Sequence, residues 1–130
     1  MNADKSMPIL IVDDYQTMVR IMRNLLKQIG YENVDEASNG AEALEKINTK
    51  AYSLIISDWN MEPVTGLELL TKLRTGGNNA DTPFIMVTAE SKTDNIIAAR
   101  KAGVSSYIVK PFNAQTLKAR IDAVCASRAA

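Results

Sequence analysis

The chain has 130 residues, 46% of them hydrophobic and 23% charged, and its 15 basic and 15 acidic side chains cancel. That composition fits one soluble globular domain with a real core. It offers no broad electrostatic footprint for nucleic acid or an anionic membrane, and no apolar stretch approaches the roughly 20 residues that span a bilayer. Histidine is absent and Cys125 is the single cysteine. Together these exclude Ser/His and Cys/His dyads, a histidine zinc site, a phosphohistidine and an internal disulfide. Residues Met1 to Ser6 hold no apolar core of a secretory signal, so a cytoplasmic location is expected.

In chain order, Pro8 to Val12 is a short branched apolar run and reads as a first strand. Tyr15 to about Ile29 follows as a helix, with Met18, Val19, Met22, Leu25, Leu26 and Ile29 at helical spacing. Asp14 is placed to cap it and Gly30 to end it. Val34 to Ala37 forms a short second strand. Ala41 to Ile47 is a second helix with Ala43, Leu44 and Ile47 on one side. Ser53 to Ser57 is strand three. Gly66 to Arg74 is a third helix with Leu67, Leu70 and Leu73 as its stripe, and Thr65 can cap it. The run Gly76-Gly77-Asn78-Asn79 breaks the pattern as a loop. Pro83 to Val87 is strand four, Asp94 to Ala102 a fourth helix ended by Gly103, and Ser106 to Val109 strand five. Asn113 caps a last helix that runs to about Ser127 with Leu117, Ile121 and Val124 inward.

Five strand–helix units with short connections fill the chain. This predicts an α/β fold, a doubly wound parallel sheet with helices on both faces. No linker, repeat or low-complexity segment divides it. The carboxyl ends of parallel strands share one edge, and ligands of open α/β sheets bind in the crevice there. Asp13 and Asp14 follow strand one, and Asp58 follows strand three. Three carboxylates brought that close repel unless a cation joins them. Mg²⁺ is a hard cation that takes oxygen ligands and often meets a phosphate, so the pattern points to a Mg²⁺-dependent phosphoryl site.

The segments Ile11-Val12-Asp13-Asp14, Ser57-Asp58-Trp59-Asn60-Met61, Met86-Val87-Thr88-Ala89-Glu90 and Tyr107-Ile108-Val109-Lys110-Pro111-Phe112 resemble the signature of response-regulator receiver domains. The resemblance covers residues 8 to 128, leaves 1–7 as a short extension, and implies no output domain. The stretches Thr17-Met18, Arg23 to Lys27 and Asn95 to Ala99 narrow it to the single-domain chemotaxis regulators. It implies a flavodoxin-like (βα)5 fold with strand order 2-1-3-4-5, an order carried over from a family that is itself a standard example of that fold.

By the same resemblance, Asp58 accepts the phosphoryl group as an acyl phosphate. Asp13, Asp14, Asp58 and the Asn60 backbone carbonyl hold Mg²⁺, with Asp13 and Asp14 binding one directly and one partly through water. The Thr88 hydroxyl and the Lys110 ammonium meet the phosphoryl oxygens. The Lys110-Pro111 bond is expected to be cis, a minority state of X–Pro bonds. Asn60 and Glu90 tune how quickly the phosphoryl is lost, and Trp59 is a fluorescence reporter beside the acceptor. Tyr107 switches between outward and inward rotamers; on a regular strand it shares a face with Val109, while Ile108 and Lys110 share the other.

The implied partner face comprises Lys92, Ile96, Tyr107, Val109 and Phe112. The implied partners are a chemotaxis histidine kinase and the flagellar motor switch protein, with room for a phosphatase, and the protein is expected to be a monomer. It would act as a phosphorelay signalling protein, promoting loss of its own phosphoryl group without a separate turnover substrate. Two rivals share its chemistry: a phosphate sink that never touches the motor, and a relay that passes phosphoryl to a histidine phosphotransfer protein. A flavodoxin-type FMN enzyme is disfavoured, because Asp13-Asp14-Tyr15-Gln16 would repel the FMN phosphate where a Ser-, Thr- or Gly-rich loop is required. One departure stands out. The family loop Met-Pro-X-Met-Asp-Gly is replaced by Met61-Glu62-Pro63-Val64-Thr65-Gly66, which bears on loop stability or phosphoryl lifetime. Cys125 reads as a packing residue of the last helix.

Overall fold

The alternating apolar runs and amphipathic segments become a five-stranded parallel sheet flanked by five helices among the described residues of a computed structural model. Those residues are 5–59, 61, 64–75, 81–88, 93–110 and 112–129. In chain order the elements are β1 (Ile9–Val12), α1 (Gln16–Gln28), β2 (Val34–Ala37), α2 (Gly40–Thr49) and β3 (Leu54–Asp58). They continue as α3 (Gly66–Arg74), β4 (Phe84–Thr88), α4 (Thr93–Ala102), β5 (Ser106–Val109) and α5 (Ala114–Ala129). The strand order is β2-β1-β3-β4-β5, as the family resemblance implies.

Alternation along the strands builds two cores. Ile9 and Ile11 of β1 enter the first, with Val19, Met22 and Leu26 of α1 and Leu117, Ile121 and Val124 of α5. Leu10 and Val12 point the other way, into a second core with Ala43 and Ile47 of α2 and Leu69, Leu70 and Leu73 of α3. Every residue of β1, β3 and β4 is buried, as expected of central strands covered on both faces. The third helix differs from its expected stripe: Leu69 is buried beside Leu70 and Leu73, whereas Leu67 is only half-buried.

Strands β3 and β4 each run one residue further than the apolar pattern indicates. Trp59 N–H donates to the Val87 carbonyl (2.9 Å) and Lys110 N–H to the Thr88 carbonyl (2.7 Å). The ladder therefore carries Asp58 and Thr88 as terminal strand residues. Asp58 is in register with Val87, and Thr88 with Val109.

The start of α1 corrects one expectation. Asp14 does not cap the helix. Tyr15 occupies the capping position without a side-chain cap, and its carbonyl accepts from Met18 and Val19 N–H. Asp14 lies one residue too early to reach those amides, while Asp13 Oδ1 instead accepts from Tyr15 N–H at 2.9 Å. The other end of α1 closes as expected at Gly30, whose φ is 102°. Gly30 N–H donates to Lys27 O and Tyr31 N–H to Leu26 O, a Schellman pair. The caps by Thr65 on Glu68 N–H and Asn113 on Thr116 N–H are present. Among the described residues no helix is long and apolar enough to cross a membrane.

Candidate functional site

Strands β1 and β3 are neighbours in register, Val12 opposite Ser57. The residues that follow them at the carboxyl edge therefore converge. Asp13, Asp14 and Asp58 each offer a carboxylate oxygen, and these oxygens lie within 4.8 Å of one another. Asp13 and Asp58 are buried, whereas Asp14 is exposed. Lys110, just past β5, reaches into the cluster. Its Nζ lies 3.0 Å from Asp58 Oδ1 and 3.9 Å from Asp13 Oδ2.

The electrostatics follow from that placement. Burial raises the Asp13 carboxyl to about 6; the hydrogen bond from Tyr15 N–H opposes the rise and the charge of Asp58 adds to it. Asp58 is likewise raised, by burial first, with the Lys110 hydrogen bond and charge opposing. One ammonium does not neutralise three carboxylates. The donor set is all oxygen and destabilised by mutual repulsion, so it fits a hard divalent cation such as Mg²⁺.

Hydrogen bonds and close packing hold the end of β3 that carries Asp58. Ser57 Oγ donates to the Asp58 carbonyl at 3.0 Å, and Gly66 N–H donates to the Trp59 carbonyl at 3.0 Å. A Cβ at Gly66 would overlap the Asp58 carbonyl oxygen and sit 2.8 Å from Met86 Sδ and 3.0 Å from Trp59 Cα. Neither Ser57 nor Gly66 emerges from sequence reasoning as a site residue. A hydroxyl inside an apolar run is the signal that could have found Ser57. The glycine that closes the family loop is the signal that could have found Gly66, although the clash that requires it is with Asp58 and Trp59, eight and seven positions earlier, and with Met86 on β4.

Thr88 is buried at the end of β4. Trp59 is half-buried and meets Tyr107 edge-on, with ring centroids 6.5 Å apart and planes at 66°. Tyr107 packs on the second core and Ile108 in the first, the alternation a regular strand requires. A cavity of about 420 Å³ is lined by Ile96, Arg100, Val104, Tyr107, Val109 and Arg120, among others. It brings three of the expected partner-face residues together. Phe112 is set apart from them: it packs against the first core, on the α1 and α5 side of the sheet. Cys125 is partly buried against the same core. Asn60, the Glu62-Pro63 pair, Glu90, Lys92 and the Lys110-Pro111 bond lie outside the described residues.

With that geometry in place, the comparisons fall on one family. The response regulator receiver domain matches residues 9–122. The chain belongs to the response regulator receiver domain family. Its likeness to chemotaxis proteins of the CheY type runs over nearly its whole length. It is 46% identical over 118 residues to chemotaxis protein CheY of Pseudomonas aeruginosa, covering 91% of this chain and 95% of that protein. It is 44% identical over 121 residues to CheY-3 of Vibrio cholerae, covering 93% of each. The crystallised CheY4 of Vibrio cholerae superimposes with a TM-score of 0.85 at 33% identity, over 92% of this chain and 98% of that one.

Proposed function

We propose that the protein is a phosphorylated signalling switch of chemotaxis. A chemotaxis histidine kinase donates phosphoryl to Asp58, and the phosphorylated form binds the flagellar motor switch protein in the cytoplasm. The observation that carries this reading is the convergence of Asp13, Asp14 and Asp58 within 4.8 Å, with Lys110 Nζ 3.0 Å from Asp58.

In this reading an Asp58 carboxylate oxygen attacks phosphorus, forming a new P–O bond as the bond to the donor's leaving group breaks. Asp13, Asp14 and Asp58 would hold Mg²⁺, with the Asn60 carbonyl implied by the resemblance, and the bound ion would offset the negative charge of the transferring group. Lys110 already donates to Asp58 and offers the phosphoryl oxygens a fixed positive charge. The Thr88 hydroxyl, one strand over, supplies a neutral donor. Ser57 and Gly66 hold the backbone of Asp58 and Trp59, which fixes where the acceptor leaves β3.

The output follows from the edge strand. Tyr107 touches Trp59, the residue after the acceptor, and also lines the cavity with Ile96 and Val109. Phosphorylation shifts a pre-existing equilibrium toward the Tyr107-inward state and raises affinity for the motor partner. The test is labelling by acetyl phosphate. The wild type takes up phosphoryl with Mg²⁺ and loses that capacity with a chelator, and Asp58→Asn takes up none. Undiminished labelling of Asp58→Asn refutes the acceptor assignment.

A further inference from the structure

Among the described side chains of helix α4, residues 96–102, burial centres on one position. Ala99 is fully enclosed, and Ala102 and the following Val104 pack on the second core. Earlier in the helix Ile96 is half-buried and Ile97 is 46% exposed. The C-terminal turn is closed by Gly103 N–H to Arg100 O and Val104 N–H to Ala99 O, with Gly103 at φ 97°. That is the same Schellman pair that ends α1.

Arg74, at the end of α3, grips this turn from outside. Its Nε and Nη2 both donate to the Gly103 carbonyl, at 3.0 and 2.9 Å. Its Nη1 donates to the Thr82 carbonyl, before β4, at 2.6 Å. A planar guanidinium can make all three bonds from one rigid fork, whereas a lysine ammonium cannot reproduce that geometry. Gly103 is doubly required. Its φ favours glycine, and a Cβ there would lie 3.1 Å from Arg74 Nε and 3.4 Å from its Cδ and Cγ. One side chain thus ties the end of α3, the start of β4 and the end of α4 together.

We propose that Arg74 is a positioning residue that anchors the C-terminal end of α4, so that activation at the acidic cluster displaces the first half of the helix against a fixed second half. Activation here rests on the function proposed above. The anchor itself does not: it rests on the three Arg74 hydrogen bonds alone. Arg74 thereby determines which part of the Ile96–Tyr107–Val109 face responds to phosphorylation. It touches no reacting atom.

The test is residue-resolved amide hydrogen exchange on the full chain, for wild type, Arg74→Ala and Arg74→Lys, with and without Mg²⁺ and beryllofluoride. Without activation, Arg74→Ala exchanges the Gly103 and Val104 amides about tenfold faster or more, while the Gly30 and Tyr31 amides of the matching turn on α1 are unchanged. Arg74→Lys recovers only part of this protection. On activation of the wild type, exchange changes at the amides of residues 97–99 and holds at Gly103 and Val104. In Arg74→Ala the change spreads through both. Equal protection of Gly103 and Val104 in Arg74→Ala and wild type overturns the anchor. So does a wild-type activation change as large at those two amides as at 97–99. If Trp59 fluorescence fails to respond to Mg²⁺ and beryllofluoride, the phosphoryl-site reading fails, and the unactivated comparison still decides the anchor.

Discussion

Helices α1 and α4 end in the same hydrogen-bonded turn, closed by Gly30 and Gly103 respectively, yet they are held to the sheet in different ways. Helix α1 buries Val19, Met22 and Leu26 along its length. It is also tied at its end by Lys5, whose Nζ donates to the Ile29 carbonyl at 2.9 Å. Among the described side chains of helix α4, Ala99 is buried and Ala102 packs on the second core, Arg74 grips the last turn, and Ile97 faces outward. The contrast separates two tasks within one sheet. The α1 side is a fixed wall of the first core. The α4 side belongs to the face built around Tyr107 and Val109, the face that changes on phosphorylation in the proposed function. Stability is distributed unevenly in proteins, and elements that move are drawn from its weaker end.

That contrast fails if the two helices respond alike to truncation. Leu26→Ala is expected to cost about 2–5 kcal/mol, because it removes a fully buried side chain and leaves a cavity. Urea denaturation reads the loss directly. Gly66→Ala comes next, at upward of about 2 kcal/mol, since the new methyl group overlaps the backbone of Asp58 rather than a movable side chain. It should also weaken the Mg²⁺-dependent change in Trp59 fluorescence, an effect that Leu26→Ala, far from the crevice, should not produce.

The acidic edge gives a pH signature of its own. Burial raises Asp13 from 3.8 in an ordinary carboxylate to about 6 in the folded protein. Between those values the folded state holds a proton that the unfolded chain has released. Stability of the metal-free protein contributed by this group is therefore lost as pH rises through that window. Mg²⁺ competes with the same proton, so its affinity should rise about tenfold between about pH 5 and pH 7 and then level off. A Trp59 titration at several pH values checks this, and Asp13→Asn should flatten the profile. The smallest expected effect sharpens the comparison from the other side: Ile97→Ala should change stability by no more than about 0.5 kcal/mol, against the larger loss at Leu26.

Much of this was legible in the residues. Apolar runs such as Ile9 to Val12 and Leu54 to Ile56 are long and branched enough to identify buried strands, and helical spacing revealed Val19, Met22 and Leu26. Asp13, Asp14 and Asp58 were visible because each sits where an apolar run stops, and parallel strands bring such ends to one edge. What could not be read depends on backbone detail or distant contacts. Asp14 was expected to cap α1, but the helix begins one residue later than the apolar spacing implies. Phe112 lies two residues after Lys110 in sequence and packs against the first core, whereas Tyr107 packs against the second. The fork of Arg74 spans 29 residues to Gly103, and no local pattern encodes it. Leu69 was missed because the narrow stripe of Leu67, Leu70 and Leu73 left out a neighbour that the second core also encloses.

The proposed switch requires the acidic crevice to control the Tyr107 face. The most direct measurement is a titration with the N-terminal peptide of the flagellar motor switch protein from the same cell, with and without Mg²⁺ and beryllofluoride, with Trp59 fluorescence confirming that the crevice is occupied. Clearly tighter binding in the activated state is the predicted result. Equal binding, or none, in both states while Trp59 reports an occupied site would contradict the coupling and assign the same chemistry to a phosphate sink or relay.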